Sequence, residues 1–219
     1  MNIALIGATG FVGAAVLSTL VQRGHQVTAL VRDAARLAPQ DGLTIKVADA
    51  YEPEAIAAAV RGHDAVVSAF NPGWNDPALY DNFVRGSDAI VRGVEASGVR
   101  RLLVVGGAGS LFVAPGVQLV DTPAFLDHVP PNIVPGAQAA RDALTTLRAN
   151  TTLDWTFLSP PAMLGQGEAT GSYRVGSDDL LMDGDKPAGI AVTDLALAIV
   201  DEIEQPRHLR ARFTVASQA

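Results

Sequence analysis

The chain has 219 residues, 48% of them hydrophobic and 18% charged, which fits one globular α/β domain with a sizeable core and excludes a disordered chain. Its net charge of −7, with Arg and Lys scattered along the sequence, excludes the basic stripe of a nucleic-acid binder. It contains no cysteine, which removes disulfides, thiolate catalysis and Cys-based metal sites, and His25, His63, His128 and His208 lack metal-ligand spacing, so no metal is expected.

An apolar run, Ile3 to Ile6, leads into Gly7-Ala-Thr-Gly10-Phe-Val-Gly13, and a helical pattern from Phe11 to Arg23 follows. The spacing predicts a buried strand, a tight turn and a helix N-terminus. Free backbone N–H groups and the positive end of the helix dipole converge at such a junction, so it suits a pyrophosphate. Gly7 serves the turn, Gly10 the approach of the phosphate and Gly13 the packing of helix on strand, in a G-x-x-G-x-x-G variant of the dinucleotide fingerprint.

Gly24 ends the helix, Gln26–Val31 reads as a second strand, and Arg32 to Arg36 as a turn into a short helix. Strands follow at Leu43–Val47, Asp64–Phe70, Arg101–Val105 and Asp154–Leu158, with helices at Pro53–Val60, Ala78–Ser97 and Gly136–Arg148 between them. Gly106–Pro135 reads as a long irregular stretch and so as a functional one. Gly165–Pro187 is loop-rich, with a short strand at Tyr173–Val175. Thr193 is expected to cap a helix from Asp194 to Ile203, and Arg212–Ala216 closes the pattern as a strand. Strands alternating with helices throughout predict a single α/β domain over residues 1–219. Its sheet is parallel and doubly wound, with ligands beyond the carboxyl ends of the strands. No apolar run reaches membrane-span length and no charged leader precedes the first strand, so a cytoplasmic protein away from membranes is expected.

The strand ends carry the candidate residues. Arg32 and Arg36, four apart at the end of the second strand, can embrace the 2′-phosphate of NADP(H) with forked, charge-assisted hydrogen bonds, or flank a turn capped by Asp33. Asp49, beside Ala50, can accept from an adenine amino group or cap a helix. Ala69-Phe70-Asn71 leaves room along the pyrophosphate–ribose path. Gly106-Gly107-Ala-Gly-Ser110 lets a nicotinamide ring approach the backbone, and Ser110 adds a hydroxyl. Trp74, Phe112 and Phe125 are loop aromatics that can wall an aromatic acceptor or simply pack. Trp155 belongs to the core.

These motifs taken in order resemble the atypical short-chain dehydrogenase/reductases, near the NmrA-like proteins. The likeness rests on Gly7 to Gly13, on Val31-Arg32-Asp33 with Arg36-Leu37, on Val105 to Leu111, and on Asp154-Trp-Thr-Phe-Leu-Ser-Pro160-Pro161. Within the group the chain is similar to NAD(P)H-flavin reductases and to the biliverdin-IXβ reductase family. The resemblance implies a Rossmann-like sheet with small C-terminal elements on the substrate side, NADPH as cofactor with NAD possible, and a small planar acceptor. The implied cofactor contacts are Gly7, Thr9, Gly10, Phe11, Val12, Gly13, Arg32, Arg36, Asp49, Ala50, Ala69, Phe70, Gly106, Gly107 and Pro160.

The Tyr-x-x-x-Lys pair of the best-known members is absent. The two lysines, Lys46 and Lys186, are preceded four residues earlier by Gly42 and Met182, and the helix expected to hold the pair carries Gln138-Ala-Ala-Arg141. Chemistry that needs that tyrosine, such as alcohol oxidation or sugar epimerisation, is therefore disfavoured. Hydride transfer to a flavin, quinone or linear tetrapyrrole remains, with Ser110 orienting a reactant and His128 supplying a proton. The alternative is an NADP(H)-binding redox sensor of the NmrA-like kind, acting through a protein partner.

Overall fold

The computed structural model describes residues 1–218. Eight strands form the main sheet: β1 (Asn2–Ile6), β2 (Gln26–Val31), β3 (Leu43–Val47), β4 (Ala65–Ser68), β5 (Arg101–Val105), β6 (Asp154–Ser159), β7 (Arg174–Gly176) and β8 (Ala211–Ala216). They lie in the order β7-β8-β6-β5-β4-β1-β2-β3, all parallel to their neighbours except β7, which runs antiparallel to β8. The chain winds outward from β1 to β3 and then returns to the opposite side through β4. The topological switch point, where such sheets bind ligands, therefore lies between β1 and β4.

Six helices cover the two faces: α1 (Phe11–Gln22), α2 (Pro53–Val60), α3 (Leu79–Ser97), α4 (Pro123–His128), α5 (Val134–Arg148) and α6 (Val192–Glu204). The alternation of side chains along β1 explains its unbroken apolar run. Ile3 and Leu5 join a core with Leu17 and Leu20 of α1 and Leu195 and Ile199 of α6. Ala4 and Ile6 face the other way, into a core with Ile56 of α2, Ile90 and Val94 of α3, and Leu144 and Leu147 of α5. A strand covered on both faces has no polar side to show. Trp155 is in this second core, as its place in the sequence suggests.

Several local expectations are corrected. Gly106–Pro135 is not irregular. It folds as a 3₁₀ turn at Ala108–Ser110, a small ribbon pairing Phe112–Ala114 with Val117–Gln118, a second 3₁₀ turn at Leu119–Asp121, and α4. The start of α4 was legible, since Thr122 accepts from the Phe125 N–H at 3.1 Å and Pro123 opens the helix. Helix α6 begins at Val192, with Ala191 in the capping position, so Thr193 is no cap. The carboxylate of Asp194 is instead buried and accepts from the N–H groups of Thr170 and Gly171 and from the Thr170 hydroxyl, which pins a loop from across the chain. The short strand starts at Arg174 rather than Tyr173, and β4 stops at Ser68, two residues before Phe70.

Candidate cofactor and acceptor site

Register brings the strand ends into one row. Ile6 of β1 is level with Leu30 of β2 and Ser68 of β4, and hydrogen bonds carry the pairing one step further, from Ala69 N–H to Ile6 O and from Gly106 N–H to Leu158 O, each at 2.9 Å. The residues just past the strands thus line a single cleft along the carboxyl edge of the sheet.

The glycine loop sits at the switch point. Gly7 has φ of +84°, a left-handed conformation that glycine adopts without strain, and a Cβ there would lie 2.7 Å from the carbonyl carbon of Ala69. A Cβ on Gly13 would lie 2.7 Å from the carbonyl carbon of Gly7 and closer still to its oxygen. The loop is therefore clamped between β4 and α1. Gly10 caps α1 with no side-chain hydrogen bond, and the first turn of the helix carries no acidic residue. Its N–H groups at Phe11, Val12 and Gly13 have no partner among the described residues, and those of Phe11 and Val12 stand at residues that line the cleft. This cradle of unspent donors fits the pyrophosphate of a dinucleotide.

On one side of the loop a cavity of about 560 Å³ holds Thr9, Arg32, Asp33, Arg36, Asp49, Ala50, Leu30 and Ile56 on its walls. Arg32 and Arg36 are exposed and neither forms an ion pair among the described residues. Asp33 is drawn back into its own turn, where its side chain accepts from Ala35 N–H at 3.0 Å. Asp49 likewise accepts from Tyr51 N–H at 3.0 Å, and Glu52, not Asp49, caps α2.

Tyr51, which sequence reasoning passed over, walls this half. Its ring meets Phe70 edge-on at 5.8 Å, and the Arg85 guanidinium lies 4.3 Å from its centroid. Burial pushes its phenol upward and nearby Asp76 adds to this, while Arg32 and Arg85 oppose it. The signal for Tyr51 was its place directly after Ala48-Asp49-Ala50.

On the other side lies a cavity of about 520 Å³, sharing Gly10, Ala69, Phe70 and Asn71 with the first. The two are halves of one groove. Phe11, Val12, Gly106, Gly107, Pro160 and Pro161 line this second half, with Trp74, Phe125 and His128 from the loops. Gly136, Ala137 and Ala140 of α5 and Leu164 also face it; the small α5 residues become visible only once the helix is oriented. No Tyr, Lys, Arg, Asp or Glu lies on its wall.

Three expected residues are placed elsewhere. Ser110 is 1% exposed, and its hydroxyl is held among Ser159 Oγ at 3.3 Å, the Gly107 carbonyl at 3.4 Å and the Arg212 guanidinium at 3.3 Å, behind the cavity wall. Arg212, buried on β8, is fixed by Asp178, whose carboxylate accepts from its Nε at 2.7 Å, and burial lowers its pKa against that attraction. Phe112 lies beside Arg212 and a shallow surface hollow, not the cavity. Gly13 stands beneath the loop and touches no open space. Among the described residues no group of three or more acidic or histidine side chains could hold a metal, and no helix is long and apolar enough to cross a membrane.

Comparison with known proteins agrees with this geometry. The NAD(P)H-binding family model matches residues 7–206. A Bacteroides thetaiotaomicron protein provisionally named an epimerase superposes with a TM-score of 0.91 at 41% identity, over 100% of this chain and 97% of the other. A Burkholderia pseudomallei protein provisionally named as exported gives 0.86 at 42%, over 99% of each chain. A Streptococcus pneumoniae protein provisionally named an NADH-flavin reductase gives 0.85 at 32%, over 100% of each. The glycine cradle, the row of strand ends and the matched sequence lead to one assignment: the chain belongs to the NAD(P)H-binding family.

Proposed function

We propose that the protein is an NAD(P)H-dependent reductase, preferring NADPH, that reduces a small planar acceptor by hydride transfer without a Tyr-Lys pair. The observation that carries this is the apolar half of the groove, continuous with the phosphate cradle and without a single tyrosine or lysine on its wall. A binding protein that only senses NADP(H) needs the cradle and room for the nicotinamide, but not the further apolar space beside it in a chamber of about 520 Å³. The similarity to a protein named as an NADH-flavin reductase supports the same reading.

A bound nicotinamide supplies a hydride to an acceptor stacked on it. In sum, NAD(P)H, a proton and the oxidised acceptor become NAD(P)⁺ and the acceptor reduced by two electrons. The chain's own part is proximity and exclusion of water. The free N–H groups of α1 hold the pyrophosphate, and Arg32 and Arg36 hold the 2′-phosphate. Asp49 and Ala50 flank the adenine. The Gly106-Gly107 backbone and Pro160 bound the nicotinamide. His128, with its Nδ1–H given to the Ala124 carbonyl at 2.8 Å, offers Nε2 as proton donor at the cavity mouth. Ser110 acts as a positioning residue through the turn it anchors. We place the protein in the cytoplasm, where NADPH is supplied.

The test is NADPH consumption followed optically with a quinone, FMN and a biliverdin. Turnover with at least one is expected. Tight NADPH binding with no turnover of any of them would leave a sensor and remove the reductase.

A further inference from the structure

We infer that the acceptor is an uncharged planar ring system of the quinone class, and that acceptors bearing an anionic group on the ring are excluded. This deepens the reductase reading and rests on it for the chemistry, though not for the binding.

The argument is one of charge. A sulfonate, phosphate or carboxylate taken out of water needs a cation or several donors, and an unpaired one is costly. In the apolar half the only polar side chains are those of Asn71, Trp74 and His128. The site's free cations, Arg32 and Arg36, lie in the other half, beyond the glycine loop. Arg141 belongs to α5, the helix that walls the cavity, but it is turned away to Asp121 and Asp142 at 2.9 and 2.8 Å. Arg212 is buried behind Ser110 and spent on Asp178. The chain as a whole carries −7, which adds no attraction for an anion.

Size adds to charge. The same 520 Å³ has to take the nicotinamide ring as well as the acceptor, which leaves room for two or three fused rings. An open tetrapyrrole with two propionates matches neither the volume nor the wall.

The experiment compares 1,4-naphthoquinone with its 2-sulfonate, in which the charge is fixed to the ring and cannot reach solvent on a flexible tail. Binding to the NADP⁺ complex is read from quenching of Trp74 fluorescence, with Trp74→Phe as the control for buried Trp155, and so is independent of the two quinones' potentials. Steady-state NADPH oxidation is measured in parallel. The neutral quinone is expected to bind at least about tenfold more tightly, the cost of an unpaired charge. Ala162→Lys, which adds a cation to the wall, is expected to narrow or reverse that ratio. Equal binding of the two quinones, tighter binding of the sulfonate, or binding of neither, overturns the inference. Selective binding of the neutral quinone without turnover upholds it and removes only the reductase reading.

Discussion

Gly13 and Gly7 touch through backbone atoms alone: the space for a Cβ on the first is filled by the carbonyl group of the second. Neither side can yield by changing a rotamer, since both are main chain in a loop clamped against β4. Gly13→Ala is therefore expected to cost about 1–3 kcal/mol in stability and to spoil the cradle, so that NADPH affinity falls together with the denaturation midpoint. Urea unfolding and a binding isotherm on the same variant check this. Wild-type affinity in Gly13→Ala would show that the loop is not the phosphate site.

What was legible in the sequence follows from how local each feature is. The run from Ile3 to Gly13 encodes strand, turn and helix within a dozen neighbours, and the structure reproduces it with φ of +84° at Gly7. The strand ends were legible because parallel pairing places them in one row whatever the loops do. Ser110 was not. Its hydroxyl direction is set by Arg212, 102 residues away, and by Ser159, neither of which the local pattern can place. Asp194 reads in the sequence as the first residue of a helix, and nothing local marks it or Glu202 as buried. Asp194 is buried on the backbone N–H groups of Thr170 and Gly171, 24 and 23 residues away, and Glu202 on the guanidinium of Arg101, 101 residues away. The aromatics show the same divide: Trp74 and Phe125 reach the cavity, while Phe112 is carried off by a ribbon that the sequence did not reveal.

Cofactor choice can be tested at Arg32. It projects into the groove without a carboxylate partner, four residues from Arg36, while Asp33 is occupied by Ala35 N–H. Charge-assisted hydrogen bonds to a phosphate are worth about 1.5–3 kcal/mol, so Arg32→Ala should weaken NADPH by roughly 10- to 100-fold. NADH, which has no 2′-phosphate, should change by less than about threefold. Equal losses measured by calorimetry for both would remove the 2′-phosphate role.

Stability at the far end of the sheet depends on Glu202. Its carboxylate is 4% exposed and accepts from Arg101 Nη2 at 3.1 Å, from Arg207 N–H at 3.1 Å, from His208 N–H at 3.0 Å and from His208 Nδ1 at 2.8 Å. Burial lowers the Arg101 pKa, and the Glu202 charge opposes that. Glu202→Ala strands the guanidinium and two backbone donors together, and breaking a buried pair in this way costs about 3–5 kcal/mol. Glu202→Gln, which keeps the acceptor oxygen, should lose less. A chemical denaturation midpoint unchanged in Glu202→Ala would contradict the network.

The wall between α3 and α5 carries a pH signature. Asp142 of α5 accepts from Arg141 Nε and from the Tyr80 hydroxyl of α3, each at 2.8 Å. The Arg141 guanidinium lowers the Asp142 carboxyl below its ordinary value of 3.8, burial opposes this, and the Tyr80 hydroxyl adds to the lowering. For a depressed carboxylate the stabilisation is complete above the unfolded value and disappears as pH falls through the folded one. The carboxyl carbon of Asp142, followed by NMR, should accordingly titrate below 3.8, and Tyr80→Phe should move the midpoint part of the way back up. A midpoint at or above 3.8 would mean that the α3–α5 tie does not hold in solution.

The remaining question at the cavity mouth is the proton, and His128 is the titratable side chain on the wall of the apolar half. Its Nδ1–H is committed to the Ala124 carbonyl at 2.8 Å, one turn back in α4, so a transferable proton has to sit on Nε2. A ring held in this way can protonate a reduced acceptor and is recharged from solvent, because the residue is exposed. With 1,4-naphthoquinone as acceptor, His128→Gln should lower kcat by about tenfold, less than the 10²–10⁴ usual for a general acid, since solvent also protonates a reduced quinone. KM for NADPH should not change, as His128 stands on the acceptor half while Arg32 and Arg36, which give NADPH its preference, lie in the other. An unchanged kcat in His128→Gln would leave solvent as the sole proton source and reduce His128 to a rim residue.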